Sequence, residues 1–86
     1  MIGKRIEKLR KIKGMSRRGL EEATGIRDTT WQSVEIGRQN ANEEHIKAIS
    51  TLWPEYKMWL VFGETYPEIG QISPEIEEIR QNLKEA

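Results

Sequence analysis

The chain has no cysteine, a single histidine and a single phenylalanine in 86 residues. Without thiols there is neither a disulfide frame nor a thiolate metal site. Their absence also agrees with the reducing setting of a cytoplasmic protein. His45 is read as a surface residue among carboxylates on an acidic helix, where it completes no metal set and no Ser/His/Asp constellation. No catalytic residue, metal or cofactor is therefore expected, and an enzyme reading has nothing to rest on. Gly3, Gly14, Gly19 and Gly25 are not spaced as a phosphate-binding loop. No apolar run approaches the ~20 residues of a membrane span, and the N-terminus lacks the apolar core of a signal peptide. Strand-like alternation, internal repeats and low-complexity runs are also missing. A chain of this length makes one domain and buries only ~60–65% of its unfolded surface. Its core is modest, and dimerisation would help it.

The formal net charge is zero, which by itself is a poor sign for a partner of nucleic acid. The distribution reads differently. Residues 1–42 hold ten Lys/Arg and five Asp/Glu, whereas residues 43–86 hold four Lys/Arg and nine Asp/Glu. This asymmetry gives one half an attraction for polyanions and keeps the other half off them.

Apolar spacing predicts six helices and an all-α fold. The first, over 2–13, places Ile2, Ile6, Leu9 and Ile12 inward and is otherwise basic; Gly14 ends it. The second, over 17–24, is capped by Ser16 and turns Leu20 and Ala23 inward. The third spans 28–36 and closes at Gly37. The fourth spans 43–51 behind Asn42, with Ile46, Ile49 and Leu52 inward. The fifth spans 54–61 from Pro54 at its first position. A linker over 64–72 contains Pro67 and Gly70. Ser73-Pro74-Glu75 then starts a sixth helix over 74–84, with a stripe of Ile76, Ile79 and Leu83. These spans divide the chain into a body over 1–63 and a linker plus amphipathic helix over 64–86.

The most informative stretch is MSRRGLEEATGIRDTTWQSVEIGR, residues 15–38. Two short helices meet at Gly25. In the second, Trp31 and Val34 lie three apart on one apolar face, and Asp28, Thr29, Gln32 and Ser33 form a polar face opposite. A helix that is half anchor and half hydrogen-bonding edge, held to a partner helix by a tight turn, is the form in which a helix-turn-helix enters a DNA major groove.

Together with the flanking segments IGKRIEKLRKIKG, ANEEHIKAISTLW and WLVFGE, this stretch resembles the lambda-repressor/Cro-like (XRE-type) helix-turn-helix family over residues 2–64. Ser16, Leu20, Gly25, Val34, Glu35 and Gly37 set the register. The resemblance implies a five-helix lambda-repressor-like DNA-binding domain, here with an extra C-terminal helix. It also implies phosphate contacts from Arg10, Arg17, Arg18, Arg38 and Asn40. Such contacts fix register without reading sequence. Base reading falls to Arg27, Asp28, Thr29, Gln32 and Ser33: Gln32 suits adenine, Arg27 guanine, Asp28 cytosine and Thr29 a thymine methyl. Capping of the third helix is an equal role for Asp28. Trp31 is read as core and Glu35 as structural, bonded to backbone or to a basic side chain.

One position departs from the family pattern. Glu21 stands where a small residue, usually Ala, is the rule. A buried, unpaired carboxylate would cost several kcal/mol. It must reach the edge, pair with Arg17 or Arg18, or sit in a more open helix packing.

The resemblance implies a transcriptional regulator of the kind phages and mobile elements encode, most simply a homodimeric repressor on double-stranded DNA with half-sites ~10 base pairs apart. Trp59, Leu60, Phe62, Ile76, Ile79 and Leu83 are the expected dimer surface, with the sixth helix packed within or between subunits. Two other readings stay open. One is an antitoxin-like interaction module whose residues 64–86 bind a partner protein. The other is a helix-turn-helix scaffold that no longer binds DNA.

Overall fold

Isoleucine and leucine recur at helical spacing through the first dozen residues, and the chain coils there to bury them. In the computed structural model, which describes residues 1–85, the helices are α1 (Ile2–Ile12), α2 (Arg17–Thr24), α3 (Asp28–Glu35), α4 (Glu43–Leu52), α5 (Lys57–Phe62) and α6 (Pro74–Glu85). Among the described residues the sole β-type pairing is an isolated bridge between Tyr66 and Gln71.

The core is one cluster drawn from every helix but the last: Ile6, Leu9, Leu20, Trp31, Val34, Ile49, Trp59 and Leu60, joined by Tyr56 and Ile72. Ala23 is exposed, so α2 turns only Leu20 fully inward. The indole N–H of the buried Trp31 donates to Thr24 Oγ1 at 3.3 Å. This satisfies the polar atom that an aromatic of this size carries into a core.

The ends of the helices follow local rules. Ser16 Oγ accepts from the Gly19 N–H at 3.0 Å, so the expected cap of α2 is present. Gly25 terminates α2 at φ +78°, a left-handed conformation that glycine adopts without a steric penalty. Asn42 caps α4 through its side chain, and His45 answers it: Asn42 Oδ1 accepts from the His45 N–H, and His45 Nδ1 accepts from the Asn42 N–H, both at 3.1 Å. The reciprocal pair is a capping box with histidine in the place of Glu or Gln. His45 is 3% exposed, 5.5 Å from Trp31 between ring centroids. The surface position expected for this residue is thus corrected.

The fifth helical segment starts as a 3-10 turn, Pro54–Tyr56, and becomes α-helical only at Lys57. The segment after Gly63 is tied to the body rather than hanging from it. The Gln71 side chain accepts from the Met58 N–H and donates to the Pro54 carbonyl, both at 3.1 Å, and the Ile72 N–H donates to the Glu55 carbonyl at 2.8 Å. Ile72, Ser73 and Pro74 are buried, and Ile76 packs on the same core. A Lys8–Glu75 ion pair fixes the first turn of α6 to α1. Beyond that turn the helix leaves the body, with Ile79 at 59% and Leu83 at 71% exposure.

Three members of the expected dimer surface pack within the subunit, Ile76 being half-buried against the core. Trp59 is 9% exposed and Leu60 is fully buried. The short α5 turns both toward α1 and α4, so they seal the subunit's own core. Phe62, at the end of α5, is 64% exposed.

Candidate nucleic-acid interface

A helix that presents side chains to a rigid partner must itself be held rigidly, and α3 is held at both ends. At its C-terminal end Glu35 is fully buried, and its two carboxylate oxygens are shared by two arginines. Arg10, from α1, donates through Nε and Nη2 at 2.8 and 3.0 Å; Arg17, from α2, donates through Nε at 3.0 Å. The third nitrogen of Arg10 donates to the Met15 carbonyl at 2.9 Å. One carboxylate thus ties α1, α2 and α3 together. A planar fork against a carboxylate is the strong form of this contact. Hydrogen bonding to Glu35 holds the pKa of Arg10 above its ordinary value, against the opposing effect of burial.

This geometry removes Arg10 from the phosphate contacts. The side chain is 9% exposed, and all three guanidinium nitrogens have partners inside the protein. Arg17 is an intermediate case. It is tied to Glu35 and lies 3.8 Å from Glu7, yet 34% of its side chain remains accessible. Arg18, Arg38 and Asn40 are exposed.

At the N-terminal end of α3 the capping residue, Arg27, makes no side-chain cap. The cap comes from α2. Glu21 Oε1 accepts from the Asp28 N–H at 2.7 Å. Glu21 is only half-buried, and its carboxylate spans the turn to hold the first N–H of α3 rather than pairing with Arg17 or Arg18. Asp28 is thereby placed at the first helical position and is not the cap. Thr24 completes the corner, accepting from the Ile26 N–H at 3.2 Å and donating to the Leu20 carbonyl at 2.7 Å.

Between these clamps the two faces of α3 are sharply divided. Trp31, Val34 and Glu35 are buried. Arg27, Thr29 and Gln32 are exposed, and Asp28 and Ser33 are half-buried beside them. The α1–α3 contact is close: a Cβ on Gly3 would lie 2.1 Å from the Val34 carbonyl oxygen, so only glycine fits that crossing. After α3 the N–H groups of Arg38 and Gln39 donate to the Ser33 carbonyl at 2.9 and 3.3 Å. They fold residues 36–40 into a turn that carries Arg38 and Asn40 outward beside the polar face.

Periodicity located α3 and its two faces. It left unmarked the Glu21–Asp28 bond, the double use of Glu35 and the burial of Arg10, because each joins groups on different helices. The spacing of charge types offers no signal for such pairs.

Known proteins are similar to this chain in sequence and in fold. The sequence is 29% identical over 83 residues to Repressor protein C of Escherichia phage P2, covering 94% of this chain and 84% of that protein. The fold matches the solved structure of Pf6r from the filamentous phage Pf6 of Pseudomonas aeruginosa PA01 with a TM-score of 0.72 and 32% identity, covering 86% of this chain and 95% of that one. No protein-family model matches the sequence. The chain is thus similar along most of its length to a phage protein named a repressor, and in fold to a second phage protein.

Proposed function

We propose that the protein is a sequence-specific DNA-binding transcriptional repressor that lays α3 in a major groove. The observation that carries this reading is the division of α3: an exposed polar edge of Arg27, Thr29 and Gln32 on a helix whose other face is buried and clamped by Glu35. Arg27 and Gln32 offer bidentate donors and acceptors for guanine and adenine, and Asp28, Thr29 and Ser33 supply the shorter contacts. Arg17, Arg18, Arg38 and Asn40 take the phosphate role, which supplies affinity in a salt-dependent way. The relative from phage P2 is named a repressor, and similarity along nearly the whole chain supports the same role here.

The working unit in this reading is a homodimer on two half-sites, joined through Phe62, Ile79 and Leu83, the large apolar side chains left exposed at the end of α5 and along α6. A helix with an uncovered apolar stripe gains stability by burying it. Nothing in the relatives favours the antitoxin-like alternative for residues 64–86.

Selection from random double-stranded DNA at a fixed salt concentration tests the reading. The expected outcome is one enriched sequence with two similar half-sites about one helical turn, ~10 base pairs, apart. Recovery of no enriched sequence would contradict it.

A further inference from the structure

We propose that Glu21 is a positioning residue for DNA reading: from α2 it sets the first turn of α3, and so aims Arg27 and Asp28. The inference rests on the DNA-binding reading of α3 and assigns a function to a side chain outside the reading face. Three observations carry it. The Glu21 carboxylate accepts from the Asp28 N–H at 2.7 Å, a short, charge-assisted bond between two helices. Arg27, at the capping position, supplies no side-chain acceptor for the N–H groups of that turn. The C-terminal end of α3 has its own anchor, the Glu35 pair with Arg10 and Arg17, and the middle is held by the buried Trp31 and Val34.

The two ends of α3 are therefore held by separate groups. Gln32 and Ser33 are set by the core and by Glu35. Arg27 and Asp28 lie at the end that Glu21 holds. Helix ends fray, and an end without its acceptor frays more. Loss of the Glu21 bond releases the turn that carries Arg27 and Asp28 and leaves the rest of α3 in place. The hydrogen bond performs the positioning and the charge does not, so an amide at the same reach preserves it. A carboxylate one methylene shorter does not reach.

The test compares Glu21→Gln, Glu21→Asp and Glu21→Ala with the unaltered protein on a selected site and on single-base variants of that site. Glu21→Gln is expected to keep discrimination at every position. Glu21→Asp and Glu21→Ala are expected to lose about five- to tenfold in specific affinity, the scale of one lost helix cap. The loss is confined to base pairs whose preference also disappears in Arg27→Ala, and preferences set by Gln32 persist. Amide exchange of Asp28 is expected to rise in the Asp and Ala variants alone, a readout that needs no DNA. Glu21→Asp serves where the Ala variant folds poorly.

Two outcomes overturn the proposal. One is retention of Asp28 protection and full discrimination in both the Asp and Ala variants. The other is a uniform loss across all base pairs, which marks a general stabilising role. If the unaltered protein selects no site, the DNA-binding reading itself fails, and that result is distinct from a selected site which the Glu21 variants read unchanged.

Discussion

Among single residues, Glu35 carries the most structural consequence. It is fully buried, and its oxygens are occupied by Arg10 and Arg17. Breaking a buried pair by removing one partner leaves an uncompensated charge and costs ~3–5 kcal/mol. In a domain with a core this small, that is a large share of a total stability of ~5–15 kcal/mol. Glu35→Ala and Arg10→Ala are both expected to lower the unfolding free energy by that amount in a denaturant titration. The same experiment separates the buried arginine from an exposed one. Arg38→Ala is expected to leave stability within ~0.5 kcal/mol and to flatten the log–log salt dependence of DNA binding by about one unit. Unchanged stability in Arg10→Ala would refute the clamp, and an unchanged salt slope in Arg38→Ala would refute the phosphate contact.

At the scale of elements, the sequence spells out what lies within one helix and is silent about what joins two. The periods of Ile6 with Leu9 and of Trp31 with Val34 show through because a helix repeats its apolar face every three to four residues. Ser16, Asn42 and Ser73 mark helix starts because capping is a local act: each accepts from an N–H three residues ahead. The burial of Arg10 and His45 is not local. It depends on Glu35, 25 residues from Arg10, and on Trp31 beside the His45 ring. The same holds for Trp59 and Leu60, apolar residues that suit either a subunit core or a subunit interface. Their place is decided by α1 and α4, which close over α5.

At the end of α5 and along α6, Phe62, Ile79 and Leu83 remain outside. If α6 joins two subunits, the double substitution Ile79→Lys with Leu83→Lys should give a monomer in sedimentation at micromolar concentration. Both side chains are exposed, so the subunit's helical signal is expected to stay intact. Persistence of a dimer in this variant would remove α6 from the interface.

For the molecule as a whole, the zero net charge conceals a division of labour. The basic half of the sequence contains the helix-turn-helix and most of the positive side chains offered to solvent. The acidic half contains α4, α5 and α6, which complete the core and leave Phe62, Ile79 and Leu83 uncovered. In the proposed DNA-binding reading, this asymmetry draws the helix-turn-helix half toward the duplex before any base is read. Specificity then rests on a few side chains of α3. The most direct measurement is the affinity of Gln32→Ala, relative to the unaltered protein, for the selected site and for random duplex at one salt concentration. Gln32 is exposed and lies opposite the buried face, so the fold is expected to be unaffected. The expected loss is about 1–3 kcal/mol on the selected site and much smaller on random DNA. Equal losses on both would contradict the claim that α3 reads bases.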